Sequence, residues 1–355
     1  MKFKLLAISA AVLASTGAQA QSSVTLYGIA DVGVEYLTKP TSGGSSVMQM
    51  QSGNLSGSRW GLRGAEDLGG GLKAVFTLES GFNIDTGAAA SKDRLFNRQS
   101  FAGLQGNFGT LTLGRHQTQL FDFSVAYDPM GLGRYSIYTM DKGMGSRADN
   151  SLKYSGNFGG LTASALYSFG YDTVNGIGEK AGDSKLGREY AASLGYAAGP
   201  FSVGGVYDFY QPETAHDTKI QRASLAGTYA FGPAKVYAGY RWLQSSVTGD
   251  SVASSLYWAG LGYKVAPALT LTGAAYYQNM KQLSNAKTNP WLFVALADYA
   301  LSKRTDVYLQ AAYAMNQADN GLASTLTLDG FTGKTFASGE KTNQFGTMVG
   351  IRHRF

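Results

Sequence analysis

The sequence predicts an all-β protein, a 16-stranded antiparallel transmembrane β-barrel with short periplasmic turns and long extracellular loops. Three features carry that expectation. The chain ends on Phe355, where Phe345, Val349, Ile351 and Phe355 share one parity and Gly346, Gly350, Arg352 and Arg354 the other. A period of two puts the apolar set on one strand face. Soluble chains usually fray at their ends, whereas a barrel in lipid must pair its last strand with its first. The composition is the second feature: 47 Gly and 22 Tyr, only 7 Pro and 15% charged residues suit long antiparallel strands with aromatic belts. The third is a regular alternation of short and long connections.

Residues 1–20, MKFKLLAISAAVLASTGAQA, carry a basic start at Lys2 and Lys4, an apolar core from Leu5 to Ala14 and an Ala18-Gln-Ala20 cleavage site. That pattern predicts a cleaved secretory signal peptide, with the barrel domain over 21–355. Losing Lys2 and Lys4 takes the formal net charge from +6 to +4. No later stretch approaches the ~20 apolar residues of a membrane helix. A mean hydropathy of −0.12 is compatible with a barrel, because the apolar residues alternate with polar ones. The absence of cysteine excludes disulfides and thiolate metal sites.

Alternation recurs along the chain. On 201–210, Phe201, Val203, Gly205, Tyr207 and Phe209 oppose Ser202, Gly204, Val206 and Asp208; on 222–231, Ala223, Leu225, Gly227, Tyr229 and Phe231 oppose Arg222, Ser224 and Thr228. On 235–242, Val236, Ala238, Tyr240 and Trp242 oppose Lys235, Tyr237, Gly239 and Arg241; on 306–316, Val307, Leu309, Ala311, Tyr313 and Met315 oppose Tyr308, Gln310 and Asn316. Charge gathers on the second face, the inside of a water-filled barrel. Short turns fall near 67–71, 106–109, 156–160, 198–200, 231–234, 265–267 and 301–304. Longer polar stretches fall near 37–56, 83–95, 116–147, 171–186, 211–218, 245–251, 281–289 and 317–342. Seven turns and eight loops join sixteen strands, and the even count leaves both termini on the periplasmic side. A barrel of that size encloses an aqueous channel.

Candidate residues for that lumen follow from parity. Trp60 and Leu62 face lipid, so Arg59 and Arg63 face inward; Ala74, Phe76 and Leu78 face lipid, so Lys73 and Glu79 face inward. Arg98 shares a face with Ser100 and Ala102, and Arg147 stands at the end of the longest early loop. That loop, 116–147, carries Asp122, Asp128, Asp141, Arg134 and Lys142. A structureless loop of that length is usually functional. Folded into the barrel, it narrows the channel. Inward arginines attract anions and repel cations, and Lys73, Arg222 and Arg241 add to the basic set.

Several stretches together resemble the trimeric general porins of beta-proteobacteria. They are Ser23-Val-Thr-Leu-Tyr-Gly-Ile-Ala-Asp31, the run from Ser58 to Ala74, Leu111-Thr-Leu-Gly-Arg115, Leu301-Ser-Lys-Arg-Thr305 and Gly350-Ile-Arg-His-Arg-Phe355. The resemblance implies a Gram-negative outer-membrane homotrimer whose third loop folds inward to form an eyelet. Arg59, Arg98 and Arg147 match the family's basic wall, Glu79 an inward carboxylate, and Asp122 and Asp128 loosely match loop acids. Arg63, Lys73 and Arg134 are further lumen residues. Phe355 matches the family's terminal signal for the barrel assembly machinery. Outer-membrane lipid, lipopolysaccharide, small hydrophilic solutes and anions are the implied partners.

The rival readings find less support. A hydrolase needs a nucleophile with a nearby base, and His116, His216 and His353 show no Ser or acid partner at a telling spacing. Metal and nucleotide motifs are absent, so no cofactor is expected. A surface adhesin barrel would use the Ser-, Gly-, Thr- and Asn-rich loops 37–56 and 317–342 as exposed faces. A substrate-specific channel for anionic solutes would use the basic lumen. Nucleic acid is not expected, because the basic residues alternate into a lumen instead of forming an outer patch.

Overall fold

A computed structural model describes residues 23–38, 45–174, 178–212, 218–247, 250–281, 287–316, 318–319, 322–323, 326–328 and 343–355. The leader 1–20, His216, and most of 317–342 lie outside them. The described residues form sixteen long antiparallel strands. These are β1 (Ser23–Leu37), β2 (Arg59–Gly69), β3 (Leu72–Asn83), β4 (Gln99–Gly106), β5 (Gly109–Gln117), β6 (Arg147–Phe158), β7 (Leu161–Ser168) and β8 (Glu189–Ala198). There follow β9 (Phe201–Tyr210), β10 (Lys219–Phe231), β11 (Ala234–Val247), β12 (Asp250–Ala266), β13 (Leu269–Lys281), β14 (Trp291–Ala300), β15 (Thr305–Met315) and β16 (Gln344–Arg354). Each pairs with its sequence neighbour, and β1 pairs with β16, so the sheet closes on itself. Closure satisfies every edge, which a sheet in lipid requires.

The seam is tight. Gly28 N donates to Phe355 O at 3.0 Å, and Phe355 N donates to Gly28 O at 3.1 Å. Gly28 leaves room for the terminal ring: a Cβ there would stand 2.3 Å from the Phe355 ring and 2.6 Å from the Arg59 carbonyl.

Leucines on the expected outward parity are exposed, among them Leu113, Leu194, Leu225 and Leu309. Aromatic side chains gather at both ends of this apolar band. Tyr196, Phe231, Tyr263 and Tyr299 flank the short turns, and Tyr240, Tyr257, Tyr277, Trp291 and Phe293 stack in succession toward the long loops. Such girdles mark the two membrane interfaces.

Two long connections turn inward. The loop between β5 and β6 forms α1 (Gln119–Tyr127), α2 (Ile137–Met140) and a 3-10 turn (Lys142–Gly145). The hydroxyl of Thr118 caps α1 by accepting from Phe121 N, and Ser136 with Thr139 makes a capping box at α2. The connection between β1 and β2 differs from the exposed surface expected over 37–56. Its segment Val47–Ser52 is a strand that pairs with β1, and 53–58 folds into the lumen. The Asp31 carboxylate holds that fold, accepting from Leu55 N at 2.9 Å and Ser56 N at 2.7 Å.

Candidate functional site

The β5–β6 loop is pinned to the inside of the barrel around much of its circumference. Tyr135 and Arg134 both bond Glu35 on β1, at 2.5 and 3.0 Å. Tyr127 bonds Ser202 on β9 at 3.0 Å, and its carbonyl accepts from Trp258 Nε1 on β12 at 3.0 Å. Asp128 accepts from Tyr276 on β13 at 2.5 Å. Asp141 lies 3.0 Å from both Arg222 Nε on β10 and Arg241 Nε on β11. Between these anchors Leu120, Phe123, Ile137 and Met144 pack on Leu256, Trp258, Tyr276 and Leu292 in a continuous apolar core. Two wall glycines admit the loop at close range, since a Cβ on Gly204 would stand 2.6 Å from the Tyr127 ring and one on Gly260 2.4 Å from Pro129.

The buried loop carboxylates respond in opposite senses. Burial pushes the Asp128 carboxyl up to about 6, against the Tyr276 hydroxyl and the backbone N–H groups it accepts from. Burial also opposes the charge of Asp141, but the Arg222 and Arg241 guanidiniums outweigh it and hold that carboxyl well below the usual range.

Three of the hollows in the described residues lie beside the β2–β7 wall. The middle one, of about 460 Å³, is lined by Arg59, Arg98, Arg147, Asp122, Phe121 and the 53–57 segment among others. A hollow of about 430 Å³ lies on the long-loop side and shares Gly53, Gly57 and Arg98 with it. One of about 490 Å³, lined largely by Ser, Thr, Gly and Asn, shares Asp122 with it and reaches the short turns. Arg98 and Asp122 therefore stand where neighbouring hollows adjoin, and the three in succession make the candidate route.

The structure brings together Arg59, Arg98, Arg147 and Asp122. Arg98 reaches the lumen for a reason other than parity: Ser100 and Ala102 pair with outward Leu78 and Leu113. The side chain of Asn97 accepts from Gly81 N at 2.7 Å, so the chain at 97–98 has not yet entered β4 and Arg98 turns inward. Among the described residues neither Arg59 nor Arg147 has a carboxylate partner; Arg147 lies 4.9 Å over the Phe121 ring.

Other expected site residues stand elsewhere. Glu79 keeps the inward parity of Arg59 but lies beneath the arginines, buried against Arg98 at 2.7 Å and Tyr27 at 3.0 Å. Asp128 is not on the route but at the Tyr276 anchor, because α1 turns it away from Asp122. Arg134 is buried on Glu35 and also borders the 430 Å³ hollow. Arg63 lies 5.2 Å from the Tyr27 ring, and Lys73 is exposed beside Asp67. Arg222 and Arg241, expected to add to the lumen's positive charge, are covered by the loop and share Asp141, with Asp208 3.9 Å from Arg222.

Sequence reasoning missed Asp31, Glu35 and Lys153. Their inward parity was readable, but not their partners. His116 does have a serine neighbour, Ser151 at 2.7 Å, but its other nitrogen meets Thr112 at 2.9 Å and the group is buried. Among the described residues no acid bonds that ring.

A family model described as Gram-negative porin matches residues 7–319. Outer membrane porin protein 32 of Delftia acidovorans is 36% identical over the whole of both chains, and an outer membrane porin protein of Bordetella pertussis is 31% identical over the whole of both. The chain belongs to the Gram-negative porin family. It is an outer-membrane porin of a Gram-negative cell, in a family of channels rather than enzymes. A solved structure titled as an anion-selective porin from Comamonas acidovorans covers 94% of the porin and all of itself, with a TM-score of 0.78 and 29% identity. A Vibrio cholerae outer-membrane protein titled as a trimer form shares the fold at a TM-score of 0.66 and 16% identity, covering 94% of this chain and 99% of its own.

Proposed function

We propose that this porin passes small hydrophilic solutes by passive diffusion, with a weak to moderate preference for anions. One observation carries that reading. Three guanidiniums line the 460 Å³ hollow, two of them without a carboxylate partner, and the one carboxylate among its described lining residues is already paired to Lys153. Arg59, Arg98 and Arg147 form the basic wall of the constriction and Asp122 its acid. Arg63, Lys73 and Arg134 contribute outside the narrowest part. The likeness to a structure titled anion-selective supports the same sign. No bond is made or broken in this transport, and no cofactor takes part.

The porin assembles as a homotrimer in outer-membrane lipid and lipopolysaccharide. The apolar outward faces of β1 and β16 suit contact between copies, and the Vibrio cholerae trimer form supports it. Residues 1–20 are removed on export, and Phe355 is read by the barrel assembly machinery. The deciding measurement is the reversal potential in a planar bilayer under a KCl gradient. A cation-selective sign sinks the anion reading, and conductance steps in threes establish the trimer.

A further inference from the structure

We infer that Lys153 sets the strength of ion discrimination by neutralising the carboxylate at the lower junction of the route, although Lys153 itself lines none of the three hollows. The inference rests on the anion-preferring reading above. Lys153 projects inward from β6, and its ammonium is fixed between two acceptors: Asp122 Oδ2 at 2.6 Å and the Gln117 carbonyl at 2.8 Å. Its side chain is 12% exposed, against 46% for that of Asp122. So the carboxylate faces the route while the cation that balances it stands behind.

Position gives the pair its weight. Asp122 borders both the middle and the lower hollow, so a solute crossing between them passes it. Glu79 already balances Arg98. With Asp122 balanced too, the constriction keeps the net charge of Arg59 and Arg147, two positive units. With Asp122 unbalanced, it keeps one. A single unit charge roughly 8 Å from a passing ion in water at 0.1 M salt changes the local concentrations of chloride and potassium by about 1.5-fold in opposite senses, and so their ratio roughly twofold.

The test compares reversal potentials under a KCl gradient for the intact porin and for K153M, D122N, K153R and the D122N/K153M double variant. K153M should lower the chloride-to-potassium permeability ratio roughly twofold. D122N should raise it, K153R should hold it, and the double variant should return it to the parental value. A merely structural lysine would alter yield or channel noise and leave the ratio alone. An unchanged ratio in K153M, or shifts of the same sign in both single variants, overturns the proposal. Should K153M fail to insert, D122N decides: no rise in the ratio overturns it. A cation-selective parent would remove the anion reading, yet the shifts relative to that parent would still test the pair.

Discussion

Arg98 Nε lies 2.7 Å from Glu79 Oε1, and Tyr27 holds the other Glu79 oxygen at 3.0 Å. The arginine at the upper junction is thus fixed from behind by a carboxylate that solute does not meet. Breaking a buried pair costs about 3–5 kcal/mol locally, because one charge is left without its partner. The E79Q variant should therefore show greater open-channel noise, from a mobile Arg98, together with a stronger anion preference. Bilayer recordings read both; a quiet channel of unchanged selectivity would refute the anchoring role.

Arg59, Arg98 and Arg147 act on the same volume, so their effects should combine. Replacing all three with neutral residues should shift selectivity toward cations and raise the size limit for neutral sugars. Reversal potentials and liposome swelling measure the two effects. If neither changes, the constriction lies elsewhere.

The loop anchors predict opposing pH responses. The Asp128 carboxyl is raised to about 6, so its contribution to docking is full below the unfolded value near 4 and is lost as pH rises through about 6. The Asp141 carboxyl is depressed, so its contribution is present above about 4 and is lost only at strongly acid pH. D128N should flatten any change in channel noise between pH 5 and 7. D141N should disturb the loop across pH 5 to 7, because Arg241 then sits buried without its carboxylate and Arg222 keeps only Asp208 at 3.9 Å. Noise recorded against pH separates the two.

At the seam, deleting Phe355 removes both hydrogen bonds to Gly28 and the ring that fills the glycine's open side. Outer-membrane levels should fall far more than single-channel conductance. Gly28→Val should fall likewise, since its side chain would occupy the ring's place. Undiminished levels of the deletion variant, by surface labelling or membrane fractionation, would disprove the assembly role.

Strand number and turn positions were legible because both are local: a period of two needs only neighbours, and Gly-rich turns announce themselves within four residues. The loop's path was not, because it depends on contacts a hundred residues apart, such as Tyr135 with Glu35. A signal for it did exist. Leu256, Trp258, Tyr276, Leu292 and Val294 are apolar at inward positions, where water alone would favour polar residues. That doubling of apolar character on β12–β14 marks where something covers the wall. Asp122 and Asp128 looked equivalent in sequence, but Asp122 lies in the first turn of α1 while Asp128 is its extended C-cap, and the two point to different surroundings. The parity that Arg98 shares with Ser100 and Ala102 points outward, and the irregular backbone before β4 turns its side chain inward.

The apolar packing of the loop on β9–β15 has a consequence for transport itself. It turns a wide bore into a slit running down one side. An ion crossing it has no central column of bulk water to travel in, and stays within the ~10 Å over which charge is felt at 0.1 M salt. Discrimination here owes as much to confinement as to the number of arginines, so it should fade more slowly with added salt than it would in an open barrel carrying the same charges.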